Sequence, residues 1–213
     1  MRLYLSSFKF GNHIEKLGEL VGTGKEVAVI LNARDYKSPE ERSKYLDWEI
    51  EMLNSVGFNA EELDLRNYFG KEKDLENLLN EKQLVWIDGG NTFLLRRAMR
   101  QSGFDNIIQE LLKDDKIVYA GFSAACVVLQ KDMHGLDLVD DPNIISEGYE
   151  KETIWEGLGL IDFYLAVHYK SDHPESAMVD KEVEFCEKNN IPYKTLRDGE
   201  VLIINGDKME IIK

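Results

Sequence analysis

An α/β fold, with a mostly parallel sheet and an antiparallel hairpin at its C-terminal edge, is what the sequence predicts. Three observations carry that expectation. Short apolar runs alternate with amphipathic helical ones along most of the 213 residues. The run Ile117-Val-Tyr-Ala-Gly-Phe-Ser123 passes straight into small helix-compatible residues, as at a sharp strand-to-helix turn. Asn205-Gly206 separates the last two apolar runs, the pattern of a tight hairpin.

Taken in order, Arg2 to Phe8 reads as a first strand and Ile14 to Leu20 as a helix ended by Gly22 and Gly24. Glu26 to Asn32 is continuous and β-branched, a strand buried on both faces. Ser38-Pro39-Glu40-Glu41 starts a helix with a serine cap, proline at the first position and an acidic first turn. That helix runs to about Val56 and stops at Gly57. Ala60 to Leu65 reads as a strand, Lys73 to Asn80 as a helix, and Gln83 to Asp88 as a strand closed by Gly89-Gly90-Asn91-Thr92. Phe93 to Gln101 and Asp105 to Leu112 are helical, and the serine turn follows. Lys131 to Gly157 is acidic and irregular. Ile161 to Tyr169 is strand-like, Pro174 to Asn189 helical, and closing strands cover Tyr193 to Leu196, Val201 to Ile204 and Met209 to Ile212. Without repeats, low-complexity tracts or long linkers, one domain spanning 1–213 is expected.

Composition narrows the function. Hydrophobic residues at 43% and charged residues at 31% describe a soluble globular chain. Forty acidic against 26 basic residues give a net charge of −14, a field that repels nucleic acid and anionic membrane. No apolar run reaches membrane-spanning length, and the N-terminus enters a strand without a signal-peptide pattern. Cys126 and Cys186 make no disulfide framework, so the cytoplasm is the expected compartment. No cluster has ligand spacing; neither a metal nor an organic cofactor is implied. Nothing in the pattern bears on oligomeric state.

In parallel α/β sheets, sites form at the carboxyl ends of strands, and three segments qualify. The first is Ser123, whose small neighbours suit a doubled-back backbone and whose following amide can face an oxyanion. The second is Asp88-Gly89-Gly90-Asn91-Thr92, which frees backbone amides; read plainly, it is a turn with Asn91 or Thr92 capping a helix. The third is Val167-His168-Tyr169-Lys170-Ser171-Asp172-His173, with two of the chain's four histidines. Ser123 and His168 supply a nucleophile and a base. Asp132, Asp137, Asp140, Asp141, Asp172 and Asp198 all remain open as the acid. Cys126 reads as a small core residue.

Four anchors in this order, Gly89-Gly90-Asn91-Thr92-Phe93, Tyr119-Ala120-Gly121-Phe122-Ser123-Ala124, His168-Tyr169 and Leu196-Arg197-Asp198-Gly199, resemble the S51 serine peptidases. That family includes the aspartyl dipeptidases and, more distantly, the cyanophycinases. The resemblance implies a three-layer flavodoxin-like fold related to class I glutamine amidotransferases. It implies Ser123 as nucleophile, His168 as base, and the Gly90 and Ala124 amides as oxyanion hole, with Asn91 and Thr92 near the substrate. Asp198 falls where the aspartyl dipeptidases carry a glutamate as acid, with Asp132 or a neighbour as competitor. The implied substrate is a small peptide, with an N-terminal aspartate as one form. That form calls for a pocket cation, for which Arg34 is the candidate and Arg97 the second choice; surface pairing with acids is the plain reading of both arginines. Three residues depart from the family pattern: Ala125 for glycine, Asp88 for a third glycine, and Val167 for proline. A carboxylate at 88 would oppose an oxyanion. The departures at Asp88 and Ala125 support the alternative of a catalytically silent small-molecule or peptide binder. A cysteine-dependent relative would need Cys126 at the turn, where Ser123 stands.

Overall fold

The computed structural model describes residues 1–213. Seven strands form one sheet in the order β3-β2-β4-β5-β1-β8-β9. They are β1 (Arg2–Ser6), β2 (Glu26–Ile30), β3 (Asn59–Glu62), β4 (Leu84–Ile87), β5 (Val118–Phe122), β8 (Val201–Asn205) and β9 (Lys208–Ile212). The first five run parallel, and β8 and β9 close the sheet antiparallel to β1 and to each other. A separate parallel pair joins β6 (Tyr164–Ala166) to β7 (Tyr193–Thr195).

Alternation along the strands divides the core into two layers, because successive side chains leave opposite faces of a sheet. Leu3, Leu5, Ala28, Ile30, Val85, Ile87 and Tyr119 point into one cluster of 39 buried residues. That layer receives α3 (Glu72–Leu79), α4 (Thr92–Ser102), α5 (Phe104–Lys113) and α6 (Ala124–Val127). Tyr4, Val27, Val29, Leu84, Trp86, Val118 and Ala120 point into the other, smaller cluster, covered by α1 (Ile14–Val21) and α2 (Pro39–Ser55). The fold is therefore three-layered. The start of α2 is as expected: Ser38 accepts from the Glu41 amide and Glu41 reaches back to the Ser38 amide, a complete capping box.

Three expectations need correction. The strand expected over Ile161 to Tyr169 shrinks to β6 and does not join the main sheet, nor does β7 accompany the C-terminal hairpin. The helix after Ser123 is a single turn, because the carbonyls of Val128, Leu129 and Gln130 are taken by amides of Leu158, Leu160 and Gly159. Arg97 is no surface residue. It is fully buried in α4, donating to the carbonyls of Glu152 at 3.0 Å, Pro142 at 2.8 Å and Ile144 at 3.3 Å. With Arg96, which donates to the Glu156 carbonyl at 2.8 Å, it pins the irregular segment against the sheet.

Two substitutions test this framework. A Cβ on Gly121 would lie 2.3 Å from the Ile87 carbonyl oxygen and 2.6 Å from Ala125 Cβ. Gly121→Ala should cost about 1–3 kcal/mol in urea unfolding; a change under roughly 0.5 kcal/mol, the scale of a neutral surface substitution, would mean the β4–β5 contact yields freely. Arg97→Ala removes the donors of three loop carbonyls, so amide exchange over residues 142–153 should quicken by about tenfold or more. Exchange in β4 and β5 should stay as it is.

Candidate active site

Four parallel strands end at one cleft of about 760 Å³, a size suited to a small organic ligand. β1 leads to Phe8, β2 to Arg34, β4 to Asp88 and Gly90, and β5 to Ser123; His168 follows β6, and all line this cleft.

Ser123 sits at φ 52°, ψ −113° between β5 and α6. A non-glycine residue holds such a backbone only where its surroundings enforce it. The enforcement comes from close packing. A Cβ on Gly89 would meet the Phe122 ring at 2.9 Å and Ser123 Cβ at 3.0 Å. Gly90, at φ 137°, passes so near β2 that a Cβ would sit 2.6 Å from the Ala33 carbonyl oxygen. The Gly90 amide donates to no backbone acceptor. Ala124 opens α6, where an amide has no intrahelical partner.

His168 is buried, itself at φ 59°. Its Nδ1 lies 2.7 Å from Asp198 Oδ1. Ser7, absent from the sequence-based candidates, joins the two: its hydroxyl accepts from the His168 amide at 2.8 Å and donates to Asp198 Oδ1 at 2.8 Å. The Asp198 amide donates to Ser171 Oγ at 2.8 Å. Burial lowers the imidazole's affinity for a proton, and the bond to Asp198 opposes that shift. The competing acid, Asp132, pairs with His134 on the surface. Asp140 accepts from the Thr92 amide at 2.8 Å instead. Only a signal that Ser7 lies beside the β8 end, its amide bonded to Glu200 across the sheet, could have singled it out.

The ring of His173 stacks on His168 with centroids 3.7 Å apart and planes 7° apart, and Phe8 meets both edge-on. With Glu175 these histidines form a group of potential metal-ligand atoms within 4.8 Å of one another. Parallel rings, however, direct their in-plane lone pairs along parallel lines, so one ion cannot lie in both ring planes. Their mutual geometry suits stacking better than shared ligation.

Asp88 is fully buried at the cleft wall. The Arg34 side chain reaches it through Nε and through Nη2 at 3.2 Å, and its guanidinium lies 3.8 Å over the Tyr45 ring. Glu49, from α2, accepts from Trp86 Nε1 and faces the Asp88 carboxyl. Burial and the neighbouring Asp88 carboxyl push Glu49 well up; burial also pushes Asp88 up, and Arg34 opposes that rise. Asn91 caps α4 by accepting from the Leu94 amide at 2.9 Å and donates to the Asp141 carbonyl at 2.9 Å. Its side chain shapes the cleft wall as it does so. Cys126 is buried below the turn, with Sγ 3.1 Å from the Ser6 carbonyl oxygen, and burial raises its thiol far above the usual range.

Residues 9–212 match the model of peptidase family S51. A Drosophila melanogaster protein named probable alpha-aspartyl dipeptidase is 27% identical over 173 residues, 79% of this chain and 66% of that protein. An uncharacterized peptidase of Listeria monocytogenes is 27% identical over 187 residues, 87% of this chain and 85% of the relative. Peptidase E of Streptomyces coelicolor is 26% identical over 138 residues, 61% of this chain and 52% of its own. A solved Listeria monocytogenes EGD-e structure described as a peptidase E protein superposes with a TM-score of 0.78 at 24% identity, covering 100% of this chain and 98% of that one. The match spans Arg34, Asp88, Gly90 and Ser123 at the strand ends as well as the segment carrying His168 and Asp198, and the chain belongs to peptidase family S51.

Proposed function

We propose that this chain hydrolyses small peptides through an acyl-enzyme on Ser123. The observation that carries the reading is the convergence, in one cleft, of a serine at an enforced turn and an imidazole whose Nδ1 is bonded to Asp198. That bond leaves Nε2 as the free ring nitrogen.

Ser123 Oγ attacks the scissile carbonyl while His168 Nε2 takes its proton. Asp198 holds the imidazole in the tautomer with hydrogen on Nδ1 and stabilises the imidazolium that forms. The carbonyl oxygen becomes an anion facing the Gly90 and Ala124 amides, donors already aligned before reaction. Collapse expels the amine, which receives the proton from His168. Water then attacks the acyl carbonyl and gives a proton to His168; as the acid leaves, His168 returns that proton to Ser123 Oγ. The cytoplasm is the compartment we propose for the chain, and its free thiols Cys126 and Cys186 suit a reducing environment.

The silent-binder alternative rested on Asp88 and Ala125. The Asp88 carboxylate is matched by Arg34, and Ala125 packs its methyl toward Gly121, so neither opposes turnover. Arg34 is the guanidinium that the cleft offers to a substrate carboxylate. Because Asp88 already balances its charge, preference for an N-terminal aspartate is weak.

The serine should react with a fluorophosphonate, and Ser123→Ala should abolish both labelling and dipeptide cleavage. The base must be neutral, and burial places its titration below the ordinary 6.5. The rate should therefore rise with pH through a midpoint below 6.5 and then level off. Asp198→Asn should cut kcat by about 10⁴-fold and move the midpoint lower still. A midpoint above 6.5, unmoved by Asp198→Asn, would remove His168 from the role of base. Replacing both carboxyls, Glu49→Gln with Asp88→Asn, frees Arg34. The ratio of kcat/KM for Asp-Ala over Ala-Ala should then rise by roughly tenfold; an unchanged ratio would dismiss Arg34 as the pocket cation.

A further inference from the structure

Beside the imidazole, the wall of the main cleft is aromatic and basic. Phe8 packs edge-on against the His168 ring, Lys9 follows it in the chain, and Lys44 and Trp48 of α2 complete this arm. We propose that the arm holds a carboxylate on the leaving-group half of the substrate, with the Lys9 and Lys44 ammoniums as its partners. The substrate is then a peptide that is anionic on the residue after the scissile bond. The inference rests on the peptidase reading of Ser123 and adds selection of the leaving group.

In that reading His168 delivers its proton to the leaving amine, so the amine lies beside the imidazole. Phe8 borders the imidazole within the cleft wall, with ring centroids 5.9 Å apart. A residue extending from the amine along this wall meets Phe8 and then Lys9 and Trp48. The cations of the cleft differ in what they have left to offer. Arg34 is already paired with Asp88, whereas neither Lys9 nor Lys44 enters an ion pair. Charge in the cleft is also divided by segment. The chain after β5 contributes Asp140, Asp141 and Glu175, and the chain before β3 contributes the two lysines. An anionic substrate group is repelled by the first set and attracted by the second.

Lys9 is held in place before any ligand arrives. Its φ is 51°, a backbone that a lysine keeps only where neighbouring contacts enforce it. The Phe8 carbonyl accepts from the Gly11 amide and from the Ser6 hydroxyl, each at 3.1 Å. Phe10 is stacked on Trp86 at 4.2 Å, and its carbonyl accepts from the Tyr4 hydroxyl at 2.7 Å. With residues 8 and 10 fixed, Lys9 projects over Phe8 and Trp48, its Nζ 5.1 Å from each ring centroid. Two aromatic faces position the ammonium without consuming an anion, so its donors stay available to a carboxylate. Lys44 and Trp48, four residues apart on α2, share one helix face, which brings the second ammonium to the same arm.

The test is calorimetric binding of Ala-Glu-amide, Ala-Gln-amide and Ala-Gln to Ser123→Ala, alone and combined with Lys9→Gln plus Lys44→Gln, or with Lys9→Arg. Ala-Glu-amide should bind about three- to tenfold more tightly than Ala-Gln-amide if the carboxylate is that of a side chain. Ala-Gln should exceed Ala-Gln-amide by a similar factor if it is the free C-terminus. The double glutamine variant should bring the ratio to about one, and Lys9→Arg should retain it. Ratios near one for both pairs, a ratio that survives the double variant, or no binding of any peptide would overturn the proposal. Equal loss of all three peptides in the double variant leaves the ratio intact and counts against it too, as the mark of a merely structural role. Fluorophosphonate labelling of the wild-type serine reads the chemistry separately. Labelling with a flat ratio rejects the arm alone. A lysine-dependent ratio without labelling rejects the peptidase chemistry and keeps the arm as a carboxylate site.

Discussion

The close approach of the carboxyl ends of β4 and β5 is the constraint on which the site depends. Gly121 lies where a methyl group would collide with the Ile87 carbonyl, and Gly89 where one would strike Phe122 and Ser123. Because the two strand ends are pressed together, the chain after β5 has no room to continue as extended backbone and doubles back at Ser123. Its φ of 52° follows from that crowding. Gly90 then passes against Ala33 at the end of β2, which leaves its amide without a protein acceptor beside the turn. The proposed nucleophile and oxyanion donor are consequences of one packing event between neighbouring strands, held by the two-faced core around them.

The proposed base arrives by a different route. His168 follows a strand outside the main sheet and is coupled to it through side chains. Ser7, at the end of β1, accepts from the His168 amide and donates to the Asp198 carboxylate, so one hydroxyl registers both side chains' segments against the central sheet. The stacked His173 and the edge of Phe8 confine the ring's tilt. Two positive-φ residues, Ser123 and His168, thus face one cleft from independently fixed backbones. Strain of this kind is tolerated where surrounding contacts over-determine it.

Much of this was legible in the sequence, for definite reasons. The parallel strands are buried on both faces, so they read as apolar runs; the glycines at 89, 90 and 121 mark close approach; Ser38-Pro39-Glu40-Glu41 spells out a cap. Asp198 emerged only by resemblance, since six aspartates were open on chemistry alone. What stayed hidden depends on contacts between segments far apart in the chain. Ser7 meets His168 across 161 positions. β6 is too short and too local in its pairing to reveal that it leaves the sheet. Arg97 looked like a surface arginine because helical periodicity carries no information on a loop folded over it. Asp88 looked like an obstacle because its partners, Arg34 and Glu49, lie 54 and 39 positions earlier in the sequence.

Charge is distributed around Ser123 so that each carboxylate is kept from the oxyanion for a separate reason. Asp88 is paired with Arg34, and burial pushes the adjacent Glu49 carboxyl well up. Asp198 is bonded to Nδ1 of the imidazole, where in the proposed mechanism its charge stabilises the imidazolium rather than opposing the tetrahedral anion. Asp140 accepts from the Thr92 amide at 2.8 Å, and burial raises its carboxyl to about 6, weakening its hold on charge near the nucleophile.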